Sequence, residues 1–139
     1  MSIKREGKAR LSRSEVMARV KGANTKPELI VRRFLWSRGF RYRVHPSGFP
    51  GKPDIYLPRR RAVIFVHGCF WHRHRGCKRA RMPRTNTDYW GEKLEGNVRR
   101  FEAQRKALTK LGLRVIVVWE CQLDAKTLRR LATRLAVQT

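Results

Sequence analysis

Acidic residues are scarce: the 139-residue chain has ten Asp plus Glu against 34 Lys plus Arg, a formal charge of +24. That imbalance repels itself in a compact state unless a polyanion neutralises it, so nucleic acid is the first partner to consider. Cysteine is sparse and odd in number, at three, which argues against a disulfide framework and fits a reducing compartment. No apolar run approaches the roughly 20 residues of a membrane span. Met1 to Arg10 is basic and lacks the apolar segment of a secretory signal. Internal repeats, low-complexity tracts and long linkers are missing as well. What is there is a 41% hydrophobic fraction with four Trp, enough to exclude a disordered basic tail and to bury one core. The expectation is a mobile basic stretch over residues 1–11, then one domain over 12–139, in the cytoplasm.

The patterning predicts the elements. Ser12 or Ser14 caps a short helix carrying Val16, Met17 and Val20, ended by Gly22. Thr25-Lys-Pro-Glu28 has capping-box spacing with Pro in the first turn, and Leu29, Ile30, Phe34 and Leu35 give the helix after it one apolar side up to Gly39. Phe40 to Val44 alternates like a half-buried strand, and His45 to Pro53 reads as a loop. Asp54 to Leu57 is a short strand, Pro58-Arg-Arg-Arg61 a turn, and Ala62 to Val66 a strand buried on both faces. His67 to Arg84 has no periodicity. From Thr87 or Asp88, Trp90, Leu94, Val98, Phe101, Leu108 and Leu111 recur at helical spacing until Gly112. Leu113 to Trp119 is a second buried strand, and Asp124 caps a last amphipathic helix through Leu135. This order predicts an α/β fold, a mixed central sheet flanked by helices.

Two groups of residues carry chemistry. Cys69-x4-His74-x2-Cys77 sets soft ligands within nine residues of the aperiodic segment, with Cys121 as the obvious fourth. Such a set suits a structural, tetrahedral Zn²⁺ that pins the segment to the sheet; spacing alone does not decide between His72 and His74. The second group follows from the turn at Pro58–Arg60, which sets Asp54 opposite roughly Ile64 or Phe65, one step from Val66 and His67. A carboxylate, a backbone carbonyl and an imidazole converging there can hold Mg²⁺. Glu28 joins them if its helix packs over that edge, or is simply a cap, and His67 is alternatively a hydrogen-bonded core residue. Phe70 and Trp71, inside the Cys-rich segment, suit stacking on or wedging between bases, and Trp90 either joins them or fills the helix stripe.

Phe65-Val-His67-Gly-Cys69-Phe-Trp-His72, Gly51-Lys-Pro-Asp54 and Trp119-Glu-Cys121 closely resemble the very-short-patch repair (Vsr) mismatch endonucleases. Asn24-Thr-Lys-Pro-Glu28 and Thr85-Asn-Thr-Asp-Tyr-Trp90 extend the likeness from about Ser12 to Leu123. The resemblance implies a restriction-endonuclease-like fold of the PD-(D/E)XK type, with Phe65-Val-His67 in place of the usual acidic-Lys motif. It implies nicking of one strand of duplex DNA on the 5′ side of the thymine in a T:G mismatch, the product of 5-methylcytosine deamination. Asp54 and the Val66 carbonyl would hold Mg²⁺, and Glu28 would hold water on that ion. His72 would be the general base, and His67 would contact the phosphate or assist the leaving oxygen. Cys69, His74, Cys77 and Cys121 would hold Zn²⁺. Phe70, Trp71 and Trp90 would enter from the major groove and Met17 from the minor groove, with Asn97 among the DNA-site residues.

This sequence departs from the family's pattern at two positions. Val66 stands where some members have Thr, which is harmless if only the carbonyl binds metal. Phe101 stands, one turn after Asn97, where an Asp is expected to orient the base His; Glu102 beside it is turned by about 100°. The partner implied is mismatched double-stranded DNA, with mismatch-repair proteins as further candidates, in a bacterial cytoplasm on the nucleoid. A single-strand nick needs one active site, which suits a monomer. Two other readings use the same residues. A non-catalytic zinc DNA-binding module has no use for Asp54 or His72, and a restriction-type nuclease would cut matched duplex.

Overall fold

The computed structural model describes residues 24–137; the short helix expected after Ser12, and Met17 with it, lies outside them. Helix α1, Lys26–Ser37, starts at the expected capping box: the Thr25 side chain accepts from the Glu28 N–H, and the Glu28 side chain accepts from the Thr25 N–H. It ends where Gly39, at φ 86, turns the chain so that the Gly39 N–H donates to Trp36 O and the Phe40 N–H to Leu35 O.

Four strands follow in the spatial order β1-β2-β3-β4: Arg43–Val44 (β1), Ile55–Leu57 (β2), Ala62–His67 (β3) and Arg114–Trp119 (β4). The first two pairings are antiparallel and β3–β4 is parallel. A 3-10 turn, Pro58–Arg60, with Arg61 at φ 51, makes the β2–β3 hairpin and sets Ile55 opposite Ile64. Helix α2, Thr87–Lys110, lies in the long crossover connection that the parallel β3–β4 pair needs. Helix α3, Ala125–Ala136, is capped by Asp124, whose carboxylate accepts from the Thr127 N–H.

Residues alternate across β3, so the sheet has a core on each face. Ile55, Leu57, Ala62, Ile64, Ile116 and Val118 pack with Val31 and Leu35 of α1 and with Leu128, Leu131 and Leu135 of α3. Val63 and Phe65 face the other way, toward Leu108 of α2 and Leu113. The layers are therefore helices, mixed sheet, helix.

Three expectations need correction. The strand expected over Phe40–Val44 shrinks to Arg43–Val44, because Phe40 is taken up by the helix-ending hydrogen bond and buried against the α1 core. The strand expected over Leu113–Trp119 covers Arg114–Trp119, at the edge of the sheet among the described residues, buried on one face through Ile116 and Val118 and only partly buried on the other through Val115 and Val117. The α2 stripe is narrower than its sequence spacing, since Leu94 and Leu108 are buried whereas Val98 and Leu111 are exposed. Leu111 lies on the C-cap turn, where the chain leaves helical geometry and its side chain swings off the sheet. Accordingly, Leu108→Ala should cost roughly 2–5 kcal/mol in denaturant unfolding. Leu111→Ala should cost no more than about 0.5 kcal/mol.

Candidate active site

The ends of β3 and β4 and the start of β2 meet at one end of the sheet. The parallel register runs to Val66↔Val118 and His67↔Trp119, so the residues just after both strands emerge side by side. The hairpin brings Asp54 to the same end, its N–H donating to Ile64 O at 3.0 Å.

Asp54 Oδ2 accepts from the Val66 N–H at 2.7 Å. Glu28 reaches the same place from the first turn of α1, and its two oxygens do different jobs. Oε1 completes the capping box at 3.1 Å, and Oε2 accepts from His45 Nε2 at 2.8 Å. The cap and the site residue are thus one carboxylate. The sequence patterning puts His45 in a loop, yet Glu28, His45 and Asp54 bring their donor atoms within 4.8 Å of one another, a group of the kind that holds a cation. The only sequence signal for His45 is its place just before the Pro/Gly stretch; its partners depend on the β1–β2 pairing.

The electrostatics of the carboxylates are unequal. Burial, with the Glu28 charge adding to it against the Val66 hydrogen bond, pushes Asp54 up to about 7. Glu28 goes the other way: burial alone would raise it, but the hydrogen bonds from His45 and the Thr25 backbone outweigh that and lower it. Near pH 7 Asp54 is thus only partly ionised while Glu28 stays charged, and a bound cation would displace the Asp54 proton.

Across the cleft, the rings of His67 and His72 stack at 3.6 Å and 3°. His67 is only 4% exposed and neither ring nitrogen has a hydrogen-bond partner among the described residues. Burial, then the neighbouring His72 charge, lowers it to about 3, so its ring is neutral. Phe101 stands edge-on to His67 at 4.6 Å and to His72 at 6.3 Å. Glu102 points away and pairs with Arg105 at 2.8 Å.

The aperiodic segment folds on itself: the His72 N–H donates to Gly68 O and the His74 N–H to Cys69 O. Cys69, His74, Cys77 and Cys121 bring one donor atom each within 4.8 Å, with Cys121 Sγ 3.4 Å from His74 Nδ1. His74 also stacks on Trp119 at 4.0 Å. Burial, and then the Cys121 and Cys77 thiols, push Cys69 up to about 12, whereas at Cys77 burial is outweighed by hydrogen bonds from the Arg79 backbone and the other two thiols, which lower it. Three sulfurs and one imidazole nitrogen around a point fit a tetrahedral metal centre. Glu120, not singled out by the sequence patterning, ties the segment down: it accepts from the Cys69 N–H at 2.9 Å, and its own N–H donates to His67 O at 3.0 Å.

Phe70, Trp71 and Trp90 form a half-buried trio with centroids 5.2–5.9 Å apart. Asn97 Nδ2 donates to Trp71 O at 3.1 Å, linking α2 to this trio. Glu28, Asp54, His67, Trp71, His72 and Phe101 line one cleft.

The family model "DNA mismatch endonuclease Vsr" matches residues 8–79. The type II nicking enzyme V.NmeAIP of Neisseria meningitidis is 46% identical over 118 residues, 85% of this chain and 84% of that relative. V.XorIIP of Xanthomonas oryzae is 48% identical over 112 residues (81% and 82%). The DNA mismatch endonuclease Vsr of Escherichia coli K12 is 39% identical over 115 residues, covering 83% and 73%. The chain belongs to the Vsr DNA mismatch endonuclease family.

Membership makes it an endonuclease, so the reading as a non-catalytic zinc module falls away. Vsr endonucleases act on DNA, which accounts for the +24 charge. No helix among the described residues is long and apolar enough to cross a membrane.

The raised Asp54 carries a stability consequence. The folded chain keeps that proton up to about pH 7, whereas an ordinary Asp releases it near 3.8. The proton therefore contributes stability that is complete below about pH 4 and lost as pH rises through 7. In EDTA, Asp54→Asn should raise the melting temperature at pH 8, on the order of 5 °C, and leave it nearly unchanged at pH 4.

Proposed function

We propose that this chain nicks one strand of duplex DNA on the 5′ side of the thymine in a T:G mismatch, with catalytic Mg²⁺ and structural Zn²⁺. The observation that carries the reading is the meeting, in one cleft, of the Asp54 and Glu28 carboxylates, the stacked His67–His72 pair and the Phe70 and Trp71 rings, with Trp90 packed against those two rings. The fold we infer is restriction-endonuclease-like, of the PD-(D/E)XK type. A mixed four-stranded sheet with the acidic residue at the start of β2 supports it.

In this reading Asp54, with the Val66 carbonyl, holds Mg²⁺, and Glu28 orients water beside it. When bound, the ion supplies positive charge at the scissile phosphate and lowers the pKa of water. His72 takes the proton from the attacking water. His67, neutral and with unused ring nitrogens, has a donor to offer a phosphate oxygen or the leaving oxygen. With Phe101 where the family resemblance leads to Asp, the His72 ring is held by stacking and packing rather than by a carboxylate at that position.

The aromatic trio recognises the lesion by entering the stack beside it. A mismatched step unstacks more cheaply than a paired one, so wedging gives selectivity as well as grip. Met17 adds a minor-groove wedge, and Asn97 steadies Trp71. Cys69, His74, Cys77 and Cys121 hold Zn²⁺, which fixes the segment carrying His72 and Trp71. The protein works as a monomer on the bacterial nucleoid in the cytoplasm, where deaminated 5-methylcytosine arises. Mismatch-repair proteins are candidate partners.

End-labelled duplexes with a single T:G pair in varied contexts, and matched controls, test this. Cutting 5′ to the mismatched T, present with Mg²⁺ and abolished by EDTA, is expected. Cutting of the matched duplex would instead support a restriction-type nuclease. Asp54→Ala should bind the mismatched duplex and fail to nick it. His72→Ala should slow single-turnover nicking by about 10²–10⁴-fold without weakening binding.

A further inference from the structure

The roles above leave the imidazole of His45 unused. Its Nε2 lies 2.8 Å from Glu28 Oε2 and 4.0 Å from Asp54 Oδ1. A small octahedral cation with bonds of about 2.0–2.1 Å sets adjacent ligand atoms about 2.9 Å apart and opposite ones about 4.1 Å apart. Both separations lie within the span of one such coordination shell.

The backbone fixes the ring there. The His45 N–H donates to Asp54 O at 3.0 Å, carrying the β1–β2 pairing one step past Val44↔Ile55. His45 is held in the left-handed region at φ 44, a conformation that a non-glycine residue adopts only when its surroundings impose it. Arg32 also approaches Glu28, at 3.6 Å, from the side of α1. It neutralises part of the Glu28 charge and has no lone pair to offer a metal.

We infer that His45 Nε2, on giving up the proton that it donates to Glu28, is a direct ligand of the catalytic ion alongside Asp54, and that this nitrogen gives the site a preference for Mn²⁺ over Mg²⁺. Mg²⁺ takes oxygen ligands, whereas imidazole suits first-row transition ions. The inference rests on the reading of Asp54 as a metal ligand. It goes beyond that reading in naming a nitrogen donor and its consequence for the choice of ion.

The test uses the full chain and Mn²⁺ alone, without DNA. Pulsed EPR of the bound Mn²⁺ should show hyperfine modulation from a coordinated imidazole nitrogen, and His45→Gln should remove it. Even an outer hydrogen-bond partner of a metal ligand is worth about 10–100-fold in affinity. His45→Gln should therefore weaken Mn²⁺ binding by about tenfold or more, and Mg²⁺ binding by less than about threefold. Bound Mn²⁺ without nitrogen coupling, coupling unchanged in His45→Gln, or equal losses for both ions would each overturn the inference. If His45→Gln does not fold, paramagnetic broadening on the wild-type chain decides: substoichiometric Mn²⁺ must erase the His45 ring signals before those of the other three His. Nitrogen coupling in a protein that fails to nick T:G duplex would overturn the proposed function and leave the ligand assignment standing. Mismatch nicking without nitrogen coupling would do the reverse.

Discussion

The parallel pairing of β3 with β4 is the constraint on which both candidate centres depend. Its register, ending at His67↔Trp119, sets Cys69 and Cys121 next to one another although they are far apart in sequence. It also lets Glu120 reach the Cys69 N–H and bond its own N–H to His67 O. A slip of one residue would turn every β4 side chain to the other face, exchanging Ile116 and Val118 of one core for Val115 and Val117 of the other. The hydrophobic pattern thus fixes the register, and the register fixes the chemistry. Few side chains at the sheet end are located by local structure alone.

A second principle is the unequal treatment of like groups. Two carboxylates meet at the sheet end, and the better-paired one, Glu28, is lowered while Asp54 is raised. Two imidazoles stack, and the buried His67 is the one kept neutral. In the carboxylate pair partners separate the members, so that Glu28 is held charged while Asp54 is held back from ionising, and in the imidazole pair burial keeps His67 neutral. In a chain with this excess of cations, two of the ten carboxylates, Glu28 and Asp54, stand side by side at the sheet end with His45.

Legibility in the sequence followed the range of the interaction. The Thr25–Glu28 cap, the Pro58–Arg61 turn and the Asp124 cap depend on neighbours within a few residues, and spacing was enough for each. The Cys/His set was legible because its residue types had no other use in an aperiodic stretch. His45 was not, since both of its partners are brought in by tertiary pairing. Nor was the edge position of β4: an apolar run such as Val115–Trp119 looks the same whether a further strand covers it or α2 and solvent do. Glu28 was read as either cap or site residue, and its two oxygens make it both.

Helix α2 runs past every part of the cleft. Along one stripe, Trp90 meets the aromatic trio, Asn97 holds the Trp71 carbonyl and Phe101 braces His67. Further on, Gln104 packs over Gly51 so closely that a Cβ there would lie 2.8 Å from its Oε1. Trp90 to Gln104 spans about 21 Å of helix at 1.5 Å per residue. An α-helix is stiff along its axis, so this stripe acts as a ruler between the aromatic trio and the carboxylate–imidazole group. The distance between those two places is therefore set in helical turns. Lengthening α2 by a single residue between Trp90 and Phe101 would leave both ends intact and put them out of phase by about 100°.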